Sequence, residues 1–197
     1  FKSSSGILEI GLHEVIRIAS TILDPLRFPD SANLQQMNQL GRLNVPNNCG
    51  DHDGDGDLDY ICGVGARSFS IWTTDLEMVW DSGHDFSQYS THNSQHLVDE
   101  MNTRDDNKGI EPEGVKVGEV DGRQYLFVSM ERSFGVMIYD ITDPNNPSFQ
   151  QWIQVDGSSN PEDMEFVSAD VSPTGTALLL VANEDSGTVG IWELMLV

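Results

Sequence analysis

The sequence predicts an all-β fold assembled from repeated antiparallel units, and three observations predict it. Residues 60–72, 125–139 and 179–192 share one outline: an apolar strand, a short Ser/Gly turn, and a second strand ending in an aromatic residue. The latter two copies are preceded by Pro112-Glu113-Gly114-Val115 and Pro161-Glu162-Asp163-Met164, each opening a further strand. Repeats of about 50 residues built from strands indicate propeller blades rather than a sandwich. The expected architecture is a partial β-propeller of about three blades, with one short helix and an aspartate-rich loop. A closed ring needs about four to eight blades. The remaining blades are therefore expected from the same precursor or from a neighbouring subunit, packed against apolar residues such as Ile10, Leu12, Leu180 and Ile191.

Taken in order, residues 1–48 read as the end of a preceding blade, a connection and a short helix. Ile7, Leu8, Ile10, Leu12, Val15, Ile16 and Ile18 alternate loosely, as a strand with an irregular start over 7–18. Asp24-Pro25 and Pro29-Asp30 punctuate an extended connection. Ser31 suits an N-cap for a helix over 32–40, with Leu34, Met37 and Leu40 at helical spacing and Gly41 as its stop. Leu43 and Val45 then lead as a strand into the loop. Residues 49–80 form the blade that carries the loop, and 81–110 a polar insertion with almost no periodicity. Residues 111–160 form the next blade and 161–197 the last. The chain opens on Phe1, so a processed product, a fragment or the ordered part of something longer is expected.

The loop is Asp51-His52-Asp53-Gly54-Asp55-Gly56-Asp57-Leu58-Asp59. Five aspartates in nine residues repel one another unless a multivalent cation neutralises them. Hard oxygen ligands on a flexible, glycine-containing loop suit Ca²⁺ better than Zn²⁺ or a redox metal. An EF-hand needs a bidentate Glu at its twelfth loop position, where this chain has Cys62, and residues 60–66 read as a strand rather than a helix. D-x-D-G-D-G-x-x-D running into a strand resembles the calcium loops of integrin-type propeller blades. That resemblance implies Asp51, Asp53, Asp55 and Asp59 as side-chain ligands, with Asp57 offering its backbone carbonyl. The alternative is a solvated acidic turn. Cys49 and Cys62 bracket the loop and are either a disulfide closing it or two free thiols in adjacent strands. A disulfide would fit an extracellular compartment.

Composition narrows the partners. The net charge of −22 lies entirely in residues 49–197, because residues 1–48 carry Lys2, Arg17, Arg27 and Arg42 against Glu9, Glu14, Asp24 and Asp30. Such a surface repels nucleic acid and anionic membranes and favours divalent cations or basic partners. No stretch approaches the roughly 18 apolar residues of a membrane span. At 38% hydrophobic residues, with four Trp and eight Phe, the chain can bury a core.

A second acidic set recurs with the repeat. Glu111, Glu113, Glu131, Glu162 and Glu184 lie next to Pro or at the end of an inner strand, positions that face the central channel of a propeller. With Asn183, Arg67 and Arg132 they could hold a second cation or an anionic ligand. Alternatively, the Pro-Glu residues cap hydrogen bonds between blades while the arginines neutralise them. Catalytic constellations are weaker. Among His13, His52, His84, His92 and His96, only His92 and His96 have ligand-like spacing. They would share a face only in a helical insertion, which the polar composition argues against. There is no G-x-S-x-G elbow and no glycine-rich phosphate loop.

These motifs together resemble the choice-of-anchor I family, which includes mesenchyme-specific cell-surface glycoproteins and many secreted bacterial proteins. The resemblance rests on Leu23-Asp24-Pro25, Phe28-Pro29-Asp30, Leu40-Gly41-Arg42-Leu43 and the aspartate loop. It continues through Gly65-Ala66-Arg67-Ser68-Phe69, Asp81-Ser82-Gly83, and Asp105-Asp106-Asn107-Lys108-Gly109-Ile110-Glu111-Pro112-Glu113-Gly114-Val115. Glu131-Arg132, residues 135–144 and Ala182-Asn183-Glu184-Asp185-Ser186-Gly187 complete it. Asp163-Met164 departs from the Gly-Leu usual after Pro-Glu, and the paired cysteines lie outside the family pattern. The resemblance implies a β-propeller exported to the cell surface. The expected function is an extracellular calcium-binding module with a structural, adhesion or assembly role. The alternative is a calcium-dependent phosphoesterase, for which the six bases of the acidic portion are few.

Overall fold

The computed structural model describes residues 15–65, 67–93, 106–107, 109–154 and 160–196. It is all-β, with antiparallel sheets and two helices among the described residues. The chain divides into two compact units, Phe1–Gly65 with Asp105–Lys108, and Ala66–Arg104 with Gly109–Val197. The boundary at Gly65 falls inside the stretch 49–80 that the sequence reads as one blade.

In the first unit, β1 (Val15–Arg17) pairs antiparallel with β2 (Asn44–Pro46), in the register Ile16 to Val45. Ile18, Leu23 and Val45 are buried beneath Ile16, Phe28, Leu43, Leu58 and Ile61. The expected strand over 7–18 is described only from Val15, and Ile7, Leu8, Ile10 and Leu12 lie outside the described residues. At Ile18 the chain leaves the strand for a single 3₁₀ turn. The expected helix over 32–40 shrinks to α1 (Ser31–Leu34), whose N-cap position is Asp30 rather than Ser31 and makes no side-chain cap. Its apolar positions explain the early stop, because Met37 and Leu40 are exposed and offer no buried stripe to extend it. Instead the Gln35 amide donates to the carbonyls of Ile18 and Thr21, at 3.0 and 2.7 Å, tying the turn to the unit's core.

The expected strand over 60–66 does not form over the described residues 60–65. Tyr60 N–H donates to the Gly50 carbonyl at 3.3 Å, Ile61 turns into the core, and Cys62 is joined to Cys49 by a disulfide. Gly65 takes a φ of 82°. With its cysteine held across the loop and glycines at 63 and 65, this segment has no continuous ladder partner.

The second unit stacks three layers. The hairpin β3 (Ser70–Trp72) and β4 (Met78–Asp81), with α2 (Asp85–Asn93), forms the first. The middle layer is a four-stranded antiparallel sheet in chain order, β5 (Pro112–Val120), β6 (Arg123–Met130), β7 (Gly135–Asp140) and β8 (Ser148–Gln154). The third is β9 (Pro161–Val167), β10 (Ala177–Asn183) and β11 (Thr188–Leu194), also an antiparallel meander. Phe69, Trp80, Phe86 and Tyr89 cover one face of the middle sheet at Leu126, Val128, Met130, Met137 and Tyr139. Its other face, including Tyr125, Phe127, Val136 and Ile138, packs on Met164, Leu179 and Val181 of the third layer. Strand β6 is apolar at nearly every position because both its faces are covered. The expected copies over 125–139 and 179–192 are β6 with β7 and β10 with β11, and Pro112 and Pro161 open β5 and β9 as read.

The polar insertion is helical over Asp85–Asn93, against expectation. Two aromatics anchor it: Phe86 is fully buried, and Tyr89 stacks on Phe149 with ring centroids 3.8 Å apart. Two apolar positions in nine residues are too few to register as a stripe, but here they face a packed sheet that supplies the rest. His92 falls in this helix, and His96 and His13 lie outside the described residues.

Gly118 of β5 lies against the Phe166 ring of β9. A Cβ there would sit 2.4 Å from the Phe166 ring. Gly118→Ala is expected to cost about 1–3 kcal/mol through the displaced ring, read as a lower urea midpoint. An unchanged midpoint would mean that the ring has free space to yield.

Candidate functional site

Two carboxylate clusters stand out, one in each unit. In the first, Gly54 and Gly56 take φ values of 80° and 97° in open space, so the left-handed backbone rather than crowding selects glycine. The turns they permit fold the aspartates inward. Asp51 accepts the Gly54 and Gly56 N–H groups at 2.7 and 3.1 Å, and Asp59 accepts the His52 N–H at 2.8 Å. Asp53 and Asp55 accept the N–H groups of Asp55 and Asp57, at 3.3 and 3.1 Å. Beneath, Leu58 is clamped by bonds from its N–H to the Ile22 carbonyl and from the Asp24 N–H to its own carbonyl, at 2.9 and 3.1 Å. The Cys49–Cys62 disulfide, with Cα atoms 6.1 Å apart, closes the base.

Oxygens of Asp51, Asp53 and Asp59 come within 4.8 Å of one another. Two ligands about 2.4 Å from a shared Ca²⁺ can be at most about 4.8 Å apart, so this donor set fits a hard cation. Asp55 and Asp57 stand outside that trio. The Asp57 carboxyl is raised, first by its partial desolvation and then by the charges of Asp55, Asp24, Asp59 and Asp53. Proton affinity raised by like charges is also cation affinity.

The second cluster lies where equivalent strand ends of the middle and third layers meet. Glu111 immediately precedes β5, Glu113 is on β5, Glu131 and Arg132 follow β6, Glu162 is on β9, and Glu184 follows β10. Backbone bonds fix these ends: Glu131 N–H to the Glu111 carbonyl at 3.0 Å, and Glu184 N–H to that of Asn160 at 2.9 Å. Carboxylate oxygens of Glu111, Glu113 and Glu131 lie within 4.8 Å of one another, as do those of Glu131, Glu162 and Glu184. Arg132 donates to Glu111 at 3.1 Å and pairs with Glu131 at 2.5 Å. One guanidinium cannot neutralise five carboxylates.

Burial, then the hydrogen bond and charge of Glu111, push the Glu131 carboxyl up to about 8, against the lowering pull of Arg132. Glu162 is raised by its hydrogen bond to Glu113 and by burial, and Glu184 by its hydrogen bond to Glu162. Burial works against the charge on Arg132, yet Glu131, Glu111 and Asp185 hold its proton more tightly than usual. The arrangement can share protons between carboxyl pairs or exchange them for a cation. Asn183 stands one residue from Glu184, but its amide donates to the Val181 and Thr188 carbonyls at 3.4 and 3.5 Å. Arg67 packs over Gly109.

Sequence reasoning missed two polar anchors. Asp106 accepts from both Arg17 and Arg42, at 2.9 and 3.0 Å, which holds its carboxyl below the usual range. Tyr139 donates to Asp85 at 3.1 Å, tying α2 to β7. Each pairs residues more than fifty positions apart, and no local pattern marks them.

Comparison with known proteins agrees with the quoted motifs. The family model for the choice-of-anchor I domain matches residues 14–144. Gigasin-3a of Magallana gigas is 28% identical over 185 residues, covering 79% of this chain. The chain spans 64% of that relative's length. No solved structure matches. Family and disulfide together suggest an extracellular or cell-surface protein, and no helix among the described residues is long and apolar enough to cross a membrane. With a match running over well more than half of its length, the chain belongs to the choice-of-anchor I domain family.

Proposed function

We propose that the chain is an extracellular calcium-binding module with a structural, adhesion or assembly role at the cell surface, and that its sheets are blades of a β-propeller. The observation that carries the calcium reading is the convergence of Asp51, Asp53 and Asp59 within 4.8 Å on a disulfide-closed loop. Asp51, Asp53 and Asp59 would hold the ion, with Asp55 and the Asp57 carbonyl close enough in sequence to complete the shell. Bound calcium would supply charge neutralisation. The chain's own part is to hold the ligands in place: Leu58 anchors the loop between Ile22 and Asp24, and the disulfide keeps its ends together. The propeller reading is supported by the four-stranded meander β5–β8 followed by a second meander packed against its face.

Titration calorimetry on calcium-stripped protein tests the calcium reading. One ion per chain at the loop is expected, with Asp53→Ala and Asp59→Ala weakening binding about tenfold or more, roughly 1.4 kcal/mol each. Asp55→Ala is expected to weaken it less, since its carboxylate stands outside the trio. Absence of saturable heat up to millimolar calcium would reject the reading.

A further inference from the structure

Within the second unit, the internal repeat shows where the glutamate cluster lacks a cation of its own. Residues 111–113 and 160–162 correspond, Glu-Pro-Glu against Asn-Pro-Glu, and residues 131–132 and 184–185 correspond, Glu-Arg against Glu-Asp. The backbone keeps the correspondence. Glu111 and Asn160 both take the left-handed conformation, at φ 54° and 60°, and their carbonyls accept the N–H groups of Glu131 and Glu184. The charges differ. In the middle layer the Arg132 guanidinium donates to Glu111. In the third layer the Asn160 amide nitrogen donates to Asp185 at 2.6 Å, so an acid stands where the middle layer has its arginine.

Carboxylates meeting at strand ends can simply share protons, and alone they make no site. The second observation is a buried oxygen. Asn160 is 4% exposed, and its amide oxygen accepts no hydrogen bond among the described residues. Its amide nitrogen is turned to the exposed Asp185, so the oxygen on the other edge of that planar group points inward, toward the buried side of the cluster. Ser133 and Asn183, which adjoin Arg132 and Glu184, are 0% and 3% exposed, and each also carries a side-chain oxygen without a partner among the described residues. Buried oxygens without a donor are disfavoured. A shortage of donors beside an excess of carboxylates is relieved by a cation.

We propose that Glu131, Glu162 and Glu184, with the Asn160 amide oxygen, form a second calcium site that supplies the charge Arg132 supplies in the middle layer. Oxygens of the three glutamates lie within 4.8 Å of one another, which suits bonds of about 2.4 Å to a shared Ca²⁺. Mg²⁺, at about 2.0–2.1 Å, needs a tighter set. Glu131 is the buried floor and Glu184 the exposed rim, so the ion enters beside Glu184. Arg132, 2.5 Å from Glu131, repels an incoming cation, so this site fills after the aspartate loop, at about 0.1–1 mM calcium. It belongs to the other compact unit and stands whether or not the loop binds.

Equilibrium dialysis of the full chain tests the proposal, after stripping with chelator and against calcium up to about 10 mM. Two ions per chain are expected, the tighter at the loop. Glu131→Gln and Glu184→Gln should each weaken the second ion about tenfold or more and leave the first unchanged. Asn160→Gly keeps the left-handed backbone, removes only the amide, and should weaken the second ion by about threefold or more. Asp53→Ala with Asp59→Ala should remove the loop ion and leave this one. If Glu131→Gln alters the circular dichroism, Glu162→Gln with Glu184→Gln, both open to solvent, reads the same site. Binding by Glu131→Gln and Glu184→Gln chains that matches the wild type overturns the proposal. So does an Asn160→Gly chain that holds both ions as tightly as the wild type. A wild type holding one ion, lost with the glutamates and kept without the aspartates, would uphold this site and reject the loop reading instead.

Discussion

Glu131→Gln is expected to stabilise the protein at pH 8 and to change little at pH 4.5, measured by urea unfolding in calcium-free buffer. Glu131 is buried beside Glu111, and its carboxyl is pushed up to about 8 in the fold from an ordinary 4.5. Between those values the folded chain binds a proton that the unfolded chain does not. Stability therefore falls as pH rises through this window, by at most about 1.4 kcal/mol per unit for one proton. Below about 4.5 both states are protonated and the penalty is absent; above about 8 it is complete. The amide keeps the shape and carries no charge, so it should gain up to about 4 kcal/mol at pH 8. Glu162 and Glu184 are raised in the same direction, so part of the slope should survive in the variant. Arg132→Gln should extend the fall to higher pH, because it removes the cation that lowers Glu131. Wild-type stability that stays flat from pH 5 to 8, with Glu131→Gln equally destabilising at both ends, would show that the cluster ionises freely and the argument fails.

Convergence of these glutamates was legible because of the repeat. Glu113 and Glu162 each follow the proline that opens a strand, and Glu131 and Glu184 stand 53 residues apart at the ends of equivalent strands. Equivalent ends of adjacent sheets lie side by side, so matching positions meet. The protonation of the cluster was not legible, since it depends on how deeply Glu131 is buried and on Arg132 serving two carboxylates at once. The same distinction runs through the fold. Strands β5, β6, β7, β9, β10 and β11 announce themselves by apolar runs between proline and Ser/Gly turns, which are local signals. Helix α2 depends on Phe86 and Tyr89 finding a sheet to pack on, a signal that exists only in three dimensions. The stretch over 60–66 shows the converse error. Its apolar residues read as a strand, but a disulfide and the positive φ of Gly65 take the chain elsewhere. In the loop the carboxylate pattern named all five aspartates, while backbone turns decide that Asp51, Asp53 and Asp59 are the three that meet.

Removing calcium with a chelator is expected to lower the melting temperature by roughly 5–10 °C. The ligands converge only in the folded loop, so an ion at about a hundredfold excess over its dissociation constant adds about 2.7 kcal/mol. For a chain of this length each kcal/mol moves the midpoint by about 2–4 °C. The effect combines two physical parts, the attraction lost and the mutual repulsion of the aspartates restored. The disulfide tempers the second part, because Cys49 and Cys62 keep the same carboxylates near one another in the unfolded chain, where they also repel. Chelation should consequently cost more after the disulfide is replaced by Cys49→Ser with Cys62→Ser than in the wild type. Asp53→Ala should abolish most of the calcium dependence in both backgrounds, since it removes one of the three converging ligands. Asp57→Asn should instead raise stability slightly in chelator, by removing a carboxylate disfavoured first by partial desolvation and then by its neighbours' charges. Melting curves that superpose with and without chelator, in the wild type and in the disulfide-free variant alike, would leave the loop as a solvated acidic turn with no structural ion.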